Sequence, residues 1–219
     1  MKKYLNILKK CPLFTDIEEE NLLRMLTCLR AKVQYFDKKY TVFSEGSPAQ
    51  YFGIVLSGSV QIVQVDFDGN RSILGEMHTS EVFAEAFACA EVPVLPVSVM
   101  MNEPGEIMLI DCSHVVHTCS NHCGFHQQLI FNLMKDLAVK TLFFHQRMEI
   151  TSKRTTREKL LAYLYSQVKK TGKLSFEIPF DRQELADFLE VDRSGLSSEI
   201  GKLKREGIIF AEKNKFTIL

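Results

Sequence analysis

The stretch FDRQELADFLEVDRSGLSSEIGKLKREGII, running from Phe180 to Ile209, reads as two short helices in succession. Asp181 stands three residues before Glu184, the spacing at which an N-terminal side chain and the third helical residue cap each other, so RQELADFLE begins as a helix there. A break at Val191-Asp192 separates it from RSGLSSEIGKLKREG, where Leu196, Ile200 and Leu203 make an inward stripe and Gly207 is placed to end the helix. Before the pair, KLSFEIPF reads as extended chain. After it, IIFAEKNKFTIL reads as two strands around Lys213-Asn214, a wing-like hairpin.

Two short helices joined by a tight turn match what reading a DNA major groove requires. The groove admits one helix, base edges are met by side chains near its N-terminus, and the preceding helix and turn hold phosphates. Arg193, Ser194, Ser197 and Ser198 occupy that reading position here, with Lys202, Lys204 and Arg205 following on the same helix. Arg193 is the leading base reader, because a guanidinium donates two hydrogen bonds to guanine O6 and N7. The competing reading is an ordinary solvated helical hairpin. Against it stand the wing, the local charge and the helix upstream.

Composition agrees with a two-domain globular protein. The chain has 219 residues, of which 46% are hydrophobic and 25% charged. Its net charge is zero, but residues 1–150 carry 13 Lys/Arg against 17 Asp/Glu and residues 151–219 carry 14 against 10, so the basic end coincides with the helix pair. The N-terminal MKKYLNILKK has too short an apolar run for a signal peptide or a membrane span. A cytoplasmic location without membrane association is expected, and with it six reduced cysteines rather than a disulfide framework.

Working back from the helix pair, residues 156–168 form an amphipathic helix with Leu160, Leu161, Leu164 and Val168 apolar, entered from the hinge TSKRTT. Gly124 precedes a stretch, FHQQLIFNLMKDLAVKTLFFHQRMEI, that contains neither Gly nor Pro and reads as one long helix. Along it Ile130, Leu133, Leu137, Thr141, Phe144 and Met148 follow three- and four-residue steps, the spacing of a coiled-coil seam, while Met134, Ala138 and Leu142 make a second apolar row. A dimerisation helix packed on its own domain and on a second copy is the expectation. From Val33 to about Ile110 the runs QYFGIVL, SVQIVQV, RSILGEM and EIMLIDC are β-type, punctuated by glycines, with a hairpin signal at Asp66-Phe67-Asp68-Gly69-Asn70. Such a series predicts a sandwich or barrel. A short helix over residues 16–30, with Leu22, Leu23, Leu26 and Leu29 apolar, precedes it.

These residues resemble the Crp/Fnr family, the regulators related to the cyclic-AMP receptor protein, over nearly the whole chain. The most specific likeness is FDRQELADFLEVDRSGLSSEIGKLKREGII, similar to the family's R-Q-E, small turn, S/D-R, K-L, G-[IL]-I signature. The resemblance implies an α+β chain: a helix and a cyclic-nucleotide-binding-type barrel of jelly-roll form over 1–123, a dimerisation helix over 124–150, and a winged helix-turn-helix over 151–219. By it, Arg182 and Gln183 hold the DNA backbone, Arg193 reads a base, and Ser194 and Ser198 stand at the other reading positions. The turn departs from the pattern, with Glu190-Val191-Asp192 where many members have Gly, so Glu190 is expected to supply a left-handed residue at some conformational cost.

The barrel likeness, AQYFGIVLSGSVQIVQVDFDGNRSILGEM followed by SEVFAEAF, departs further. Members that bind cyclic nucleotides carry a Gly-Glu pair and, some ten residues later, an Arg-Ser pair for the phosphate. Here Ala84-Glu85 replaces the first and Leu95-Pro96 falls at the second. A buried phosphate needs a charge-assisted partner, so cyclic AMP is not the expected effector. The implied effector pocket comprises Phe83, Ala84, Glu85, Leu95 and Pro96, with Phe144 and His145 brought near by the long helix. Its ligand is unidentified, and a barrel that has lost its ligand is the alternative. The implied partners are a second copy of the chain, a pseudo-palindromic double-stranded DNA site and RNA polymerase.

Between Cys112 and His126 the chain reads CSHVVHTCSNHCGFH, three cysteines and four histidines in fifteen residues. Such ligands suit zinc, iron–sulfur or haem, and Cys119-x3-Cys123 with His122 or His126 is workable spacing, which makes a metal or redox sensor a further alternative. No C-x2-C pair occurs, and the family's oxygen sensors place their cluster cysteines near the N-terminus, where this chain has only Cys11 and Cys28. Buried apolar cysteines without metal are the expectation. An enzyme is not expected: no G-x-S-x-G elbow occurs, Thr171-Gly172-Lys173 has Gln167 where a phosphate loop needs Gly, and His78 is alone on the barrel strands.

Overall fold

In the computed structural model, residues 1–65, 71–116 and 124–219 are described, and they fall into two units, Met1–Ala138 and Val139–Leu219. The first unit opens with α1 (Leu5–Leu8) and α2 (Glu19–Cys28) and continues through β1 (Lys32–Phe36), β2 (Thr41–Phe43), β3 (Tyr51–Val55), β4 (Ser59–Val65), β5 (Arg71–Met77) and β6 (Val82–Phe83). The short helix α3 (Glu85–Cys89), β7 (Ser98–Glu103), β8 (Gly105–Asp111) and α4 (Ser113–Val116) follow, and then α5 (Gly124–Thr151). The strands make two four-stranded antiparallel sheets, ordered β1-β8-β3-β6 and β2-β7-β4-β5, the jelly-roll arrangement. The hairpin signal at Asp66–Asn70 lies outside the described residues.

Why the apolar runs of β3 and β8 are nearly continuous is clear from their two faces. Phe52, Ile54, Met108 and Ile110 point to a core shared with α1, α2 and the start of α5, through Leu8, Leu22, Met25, Leu26, Leu129 and Leu133. Val55 and Ile107 point the other way, to an inter-sheet core with Phe36, Val60, Phe83, Val99 and Met101. A sheet covered on both faces needs apolar residues at both parities. The chain crosses between sheets at Pro104-Gly105, where a Cβ on Gly105 would lie 2.0 Å from the Ser57 carbonyl oxygen, so only glycine fits that corner. Helix α2 starts at Glu19 rather than Asp16, which instead sits in the left-handed region at φ 60°.

The second unit contains the end of α5, then α6 (Thr156–Thr171), β9 (Ser175–Glu177), α7 (Arg182–Leu189), α8 (Arg193–Arg205), β10 (Ile209–Glu212) and β11 (Lys215–Ile218). The expected hinge TSKRTT supplies the helix start: the Thr155 hydroxyl and the Glu158 side chain form a reciprocal capping box. Leu160, Leu164, Leu185, Leu189, Leu196, Leu203, Ile209 and Phe216 make one core under a three-stranded sheet, β10-β11-β9. Among the described residues no helix is long and apolar enough to cross a membrane. The unit boundary falls inside α5, between Ala138 and Val139.

Candidate nucleic-acid interface and sensor site

Helix α7 starts where its sequence requires. The Asp181 carboxylate accepts the Glu184 N–H at 2.8 Å, and the Glu184 carboxylate accepts the Asp181 N–H at 2.7 Å. It ends at Glu190, in the left-handed region at φ 53° and ψ 54°, the strained turn residue expected from the absence of glycine. Helix α8 is capped in turn by Asp192, whose carboxylate accepts the Gly195 N–H at 2.8 Å and the Ser194 hydroxyl. The Ser194 hydroxyl, first, and the backbone N–H groups hold the Asp192 carboxyl below the usual carboxylate range. Gly207, at φ +71°, terminates the helix.

With Leu196, Ile200 and Leu203 turned into the core, the opposite face of α8 presents Arg193, Ser194, Ser197, Ser198, Lys202 and Arg205, all exposed. The side chains of Arg193, Ser197 and Ser198 have no hydrogen-bond or ion-pair partner among the described residues. Lys202 pairs with Glu199 at 3.0 Å. At the start of α7, Gln183 donates to Asp187 at 2.8 Å on the exposed side. Arg182 is more committed than its position in the motif suggested. Its guanidinium donates to the Lys213 carbonyl at 3.2 Å and lies 5.7 Å over the Phe216 ring, and burial lowers its pKa. It therefore joins the start of α7 to the tip of the wing, a role that only the fold makes visible, because Lys213 lies 31 residues away.

In the first unit, Phe83, Ala84, Glu85 and Leu95 are each buried, and Phe83 and Ala84 share the inter-sheet core. Ala84 precedes α3 with φ 64° and ψ 3°, a left-handed position that glycine would adopt without strain. The Phe83 ring lies over Gly53, where a Cβ would meet it at 2.1 Å, and packs 5.7 Å from Phe43. Leu95 is turned inward and its backbone bonds to Ser47 and Gly46, whereas Pro96 faces outward. Phe144 and His145 are exposed residues of the second unit.

The expected dimer seam divides. Leu133 is buried in the core of the first unit, and Leu137 is half-buried against that core. Ile130 is half-buried, while Thr141, Phe144 and Met148 are exposed. Phe131, Met134, Ala138, Thr141, His145 and Met148 are all exposed and follow strict three- and four-residue steps, a seam that shares Thr141 and Met148 with the expected one and is shifted by one residue at its other four positions.

Of the cysteine and histidine cluster, His117, Cys119, His122 and Cys123 lie outside the described residues. Cys112 and His126 are buried, and His126 Nε2 lies 3.0 Å from the Val115 carbonyl oxygen. Among the described residues no group of three or more His, Cys, Asp or Glu is placed to hold a metal ion.

Comparison with known proteins agrees with this geometry. The cyclic nucleotide-binding domain family matches residues 33–122, and the Crp-like helix-turn-helix domain family matches residues 158–219. The chain is 22% identical to the transcriptional activator protein FnrL of Cereibacter sphaeroides, covering 93% of this chain and 81% of FnrL. It is 21% identical to the anaerobic regulatory protein of Bacillus subtilis, covering 98% and 90% respectively. The crystal structure of DNR from Pseudomonas aeruginosa, 21% identical, matches with a TM-score of 0.52 over 100% of this chain and 95% of that one, a likeness of fold.

Proposed function

Because the chain belongs to the Crp/Fnr family of DNA-binding transcription regulators, we propose that it acts as a cytoplasmic homodimer, without enzymatic activity, that reads a pseudo-palindromic site and contacts RNA polymerase there. The observation that carries this reading is the outward face of α8, where Arg193, Ser197 and Ser198 stand exposed and without internal partners above a fully buried stripe. Side chains so placed are available to base edges. Two copies would set their reading helices about one DNA turn apart, roughly 34–36 Å. Selection of genomic DNA fragments under anaerobic conditions at fixed salt tests it, with Arg193→Ala as control. A two-fold symmetric motif recovered by the wild type and lost in the variant is expected; recovery of only unspecific fragments, with or without added effectors, would overturn it.

The effector of the barrel is, on this reading, something other than cyclic AMP. Leu95 and Pro96 supply no cation for a cyclic phosphate, and Leu95 is buried. The buried apolar side chains of Phe83 and Leu95 also favour a second reading, in which the barrel serves assembly without a ligand. Thermal melting with cyclic AMP and a panel of small effectors separates the two, since a bound ligand raises the melting temperature. No shift with cyclic AMP is expected under either; a shift with another effector selects the first.

A further inference from the structure

At the far end of the short helix that begins with Glu85, two sulfurs lie in contact. Cys89 closes α3 and Cys112 follows β8, and their Sγ atoms are 3.4 Å apart although 23 residues separate them in sequence. A cavity of about 270 Å³ opens beside them, lined by Pro48, Gln50, Glu91, Pro93 and Asp111. Both cysteines line this cavity, Cys112 buried and Cys89 half-buried. The other described cysteines differ: Cys11 is buried in the core beneath α1, and Cys28 is exposed at the end of α2. We propose that Cys89 and Cys112 are a dithiol site that reacts with small uncharged hydroperoxides and closes to a disulfide.

Three observations select this chemistry. A disulfide needs its sulfurs at about 2.05 Å, so these two must close by about 1.4 Å, and the short helix α3 is a small element to move. Either sulfur can donate in this contact, and Cys89, the more exposed of the two, is the one an oxidant reaches first; the contact lowers the pKa of Cys89 and raises that of Cys112, which makes Cys89 the attacking group. Finally, the nearby carboxylates of Glu85, Glu91 and Asp111 repel anionic oxidants such as glutathione disulfide, while a cavity of this size admits a small neutral one.

The steps balance. The Cys89 thiolate attacks one oxygen of the hydroperoxide, the O–O bond breaks, and the departing oxygen takes a proton to leave as water or alcohol. The Cys112 sulfur then attacks the Cys89 sulfur of the resulting sulfenic acid. The S–S bond forms, the S–O bond breaks, and hydroxide leaves with the Cys112 proton as water. Two electrons pass from the thiols to the oxidant, and a dithiol reductant returns them. The bond ties α3, which carries Glu85, to the end of β8.

The test uses the full-length reduced protein, treated with near-stoichiometric hydrogen peroxide, alkylated and digested without reduction. A glutamyl endopeptidase is required, because no Lys or Arg lies between Cys89 and Cys112 and trypsin leaves them on one peptide. Expected is a cross-linked pair located by tandem mass spectrometry at Cys89 and Cys112, with two of the six thiols lost before Cys28 reacts and recovered with dithiothreitol. In Cys112→Ser, Cys89 should accumulate as a dimedone-trappable sulfenic acid; in Cys89→Ser, no fast thiol loss should remain. Cross-links confined to Cys119, Cys123 or Cys11, or oxidation of Cys28 ahead of Cys89, would overturn the proposal. Both readouts are independent of DNA binding, and the wild-type mapping stands even if a variant folds poorly.

Discussion

Arg147 Nη2 lies 3.6 Å from Glu190 Oε1, and its guanidinium lies 5.6 Å over the Phe188 ring, so the last turns of α5 hold the left-handed residue between the two helices of the DNA-reading motif. Two effects compete at Glu190. The ion pair is largely exposed on the Glu190 side, at 61%, and such pairs contribute at most about 1 kcal/mol. The left-handed backbone costs roughly 1–2 kcal/mol for a residue with a Cβ, part of which glycine returns through unfolded-state entropy. Glu190→Ala loses the pair and keeps the strain, whereas Glu190→Gly loses both. The Gly variant should therefore be more stable than the Ala variant by about 0.5–1 kcal/mol in urea denaturation. Equal stability would mean that the turn carries no strain.

The two arginines of the motif should fail differently. Arg193→Ala should cost roughly 1–3 kcal/mol of specific DNA affinity and relax preference at one base position, with unchanged thermal stability. Arg182 is tied to the Lys213 carbonyl and to Phe216, so Arg182→Ala should lower the melting temperature of the protein even without DNA. Arg182→Lys should not rescue it, because an ammonium lacks the planar face that stacks on the ring. Paired melting curves and binding isotherms at one salt concentration distinguish these outcomes.

How much of this was legible in advance depended on the range of the interactions. The helix starts and stops of the C-terminal unit are local in sequence, within three or four residues of each other, and Asp181, Glu184, Glu190 and Gly207 all occupy the conformations that their order implied. The β runs were legible for the same reason. Arg182 reaching Lys213, and Cys89 reaching Cys112, are contacts across sheets and loops for which no periodicity exists. The density of Cys and His after Cys112 drew attention downstream, while the sulfur in contact with it came from α3. In α5, apolar residues occur on more than one side, so spacing alone offered two rows; the core chose Leu129 and Leu133.

Acid should weaken the second unit through its helix caps. Hydrogen bonds from Ser194 and Gly195 to Asp192, and from the Thr155 N–H and hydroxyl to Glu158, hold both carboxyls below their usual range. A carboxylate depressed in this way contributes stability that is fully present above its unfolded value, about 4, and is lost as pH falls through the lower folded value. Urea midpoints should therefore fall on acidification below about pH 4, and Asp192→Asn should fall less steeply than wild type because its amide does not titrate. Parallel slopes for the two proteins would exclude Asp192 as a contributor.

Adjacent residues of α5 face different surroundings. Leu133 is 4% exposed in the core of its own unit, whereas Met134, its neighbour in sequence, is 57% exposed on the shifted seam. Burying a methionine against a second copy would stabilise the assembly by about 1.5–3 kcal/mol per side chain. On the proposed homodimer, Met134→Glu should give a monomer in sedimentation velocity at micromolar concentration while leaving the chain folded by circular dichroism. Leu133→Ala should do the reverse, costing about 2–5 kcal/mol of folding stability through the cavity it leaves in the core. If instead Met134→Glu leaves the sedimentation coefficient unchanged, the exposed row is not the surface through which two copies join.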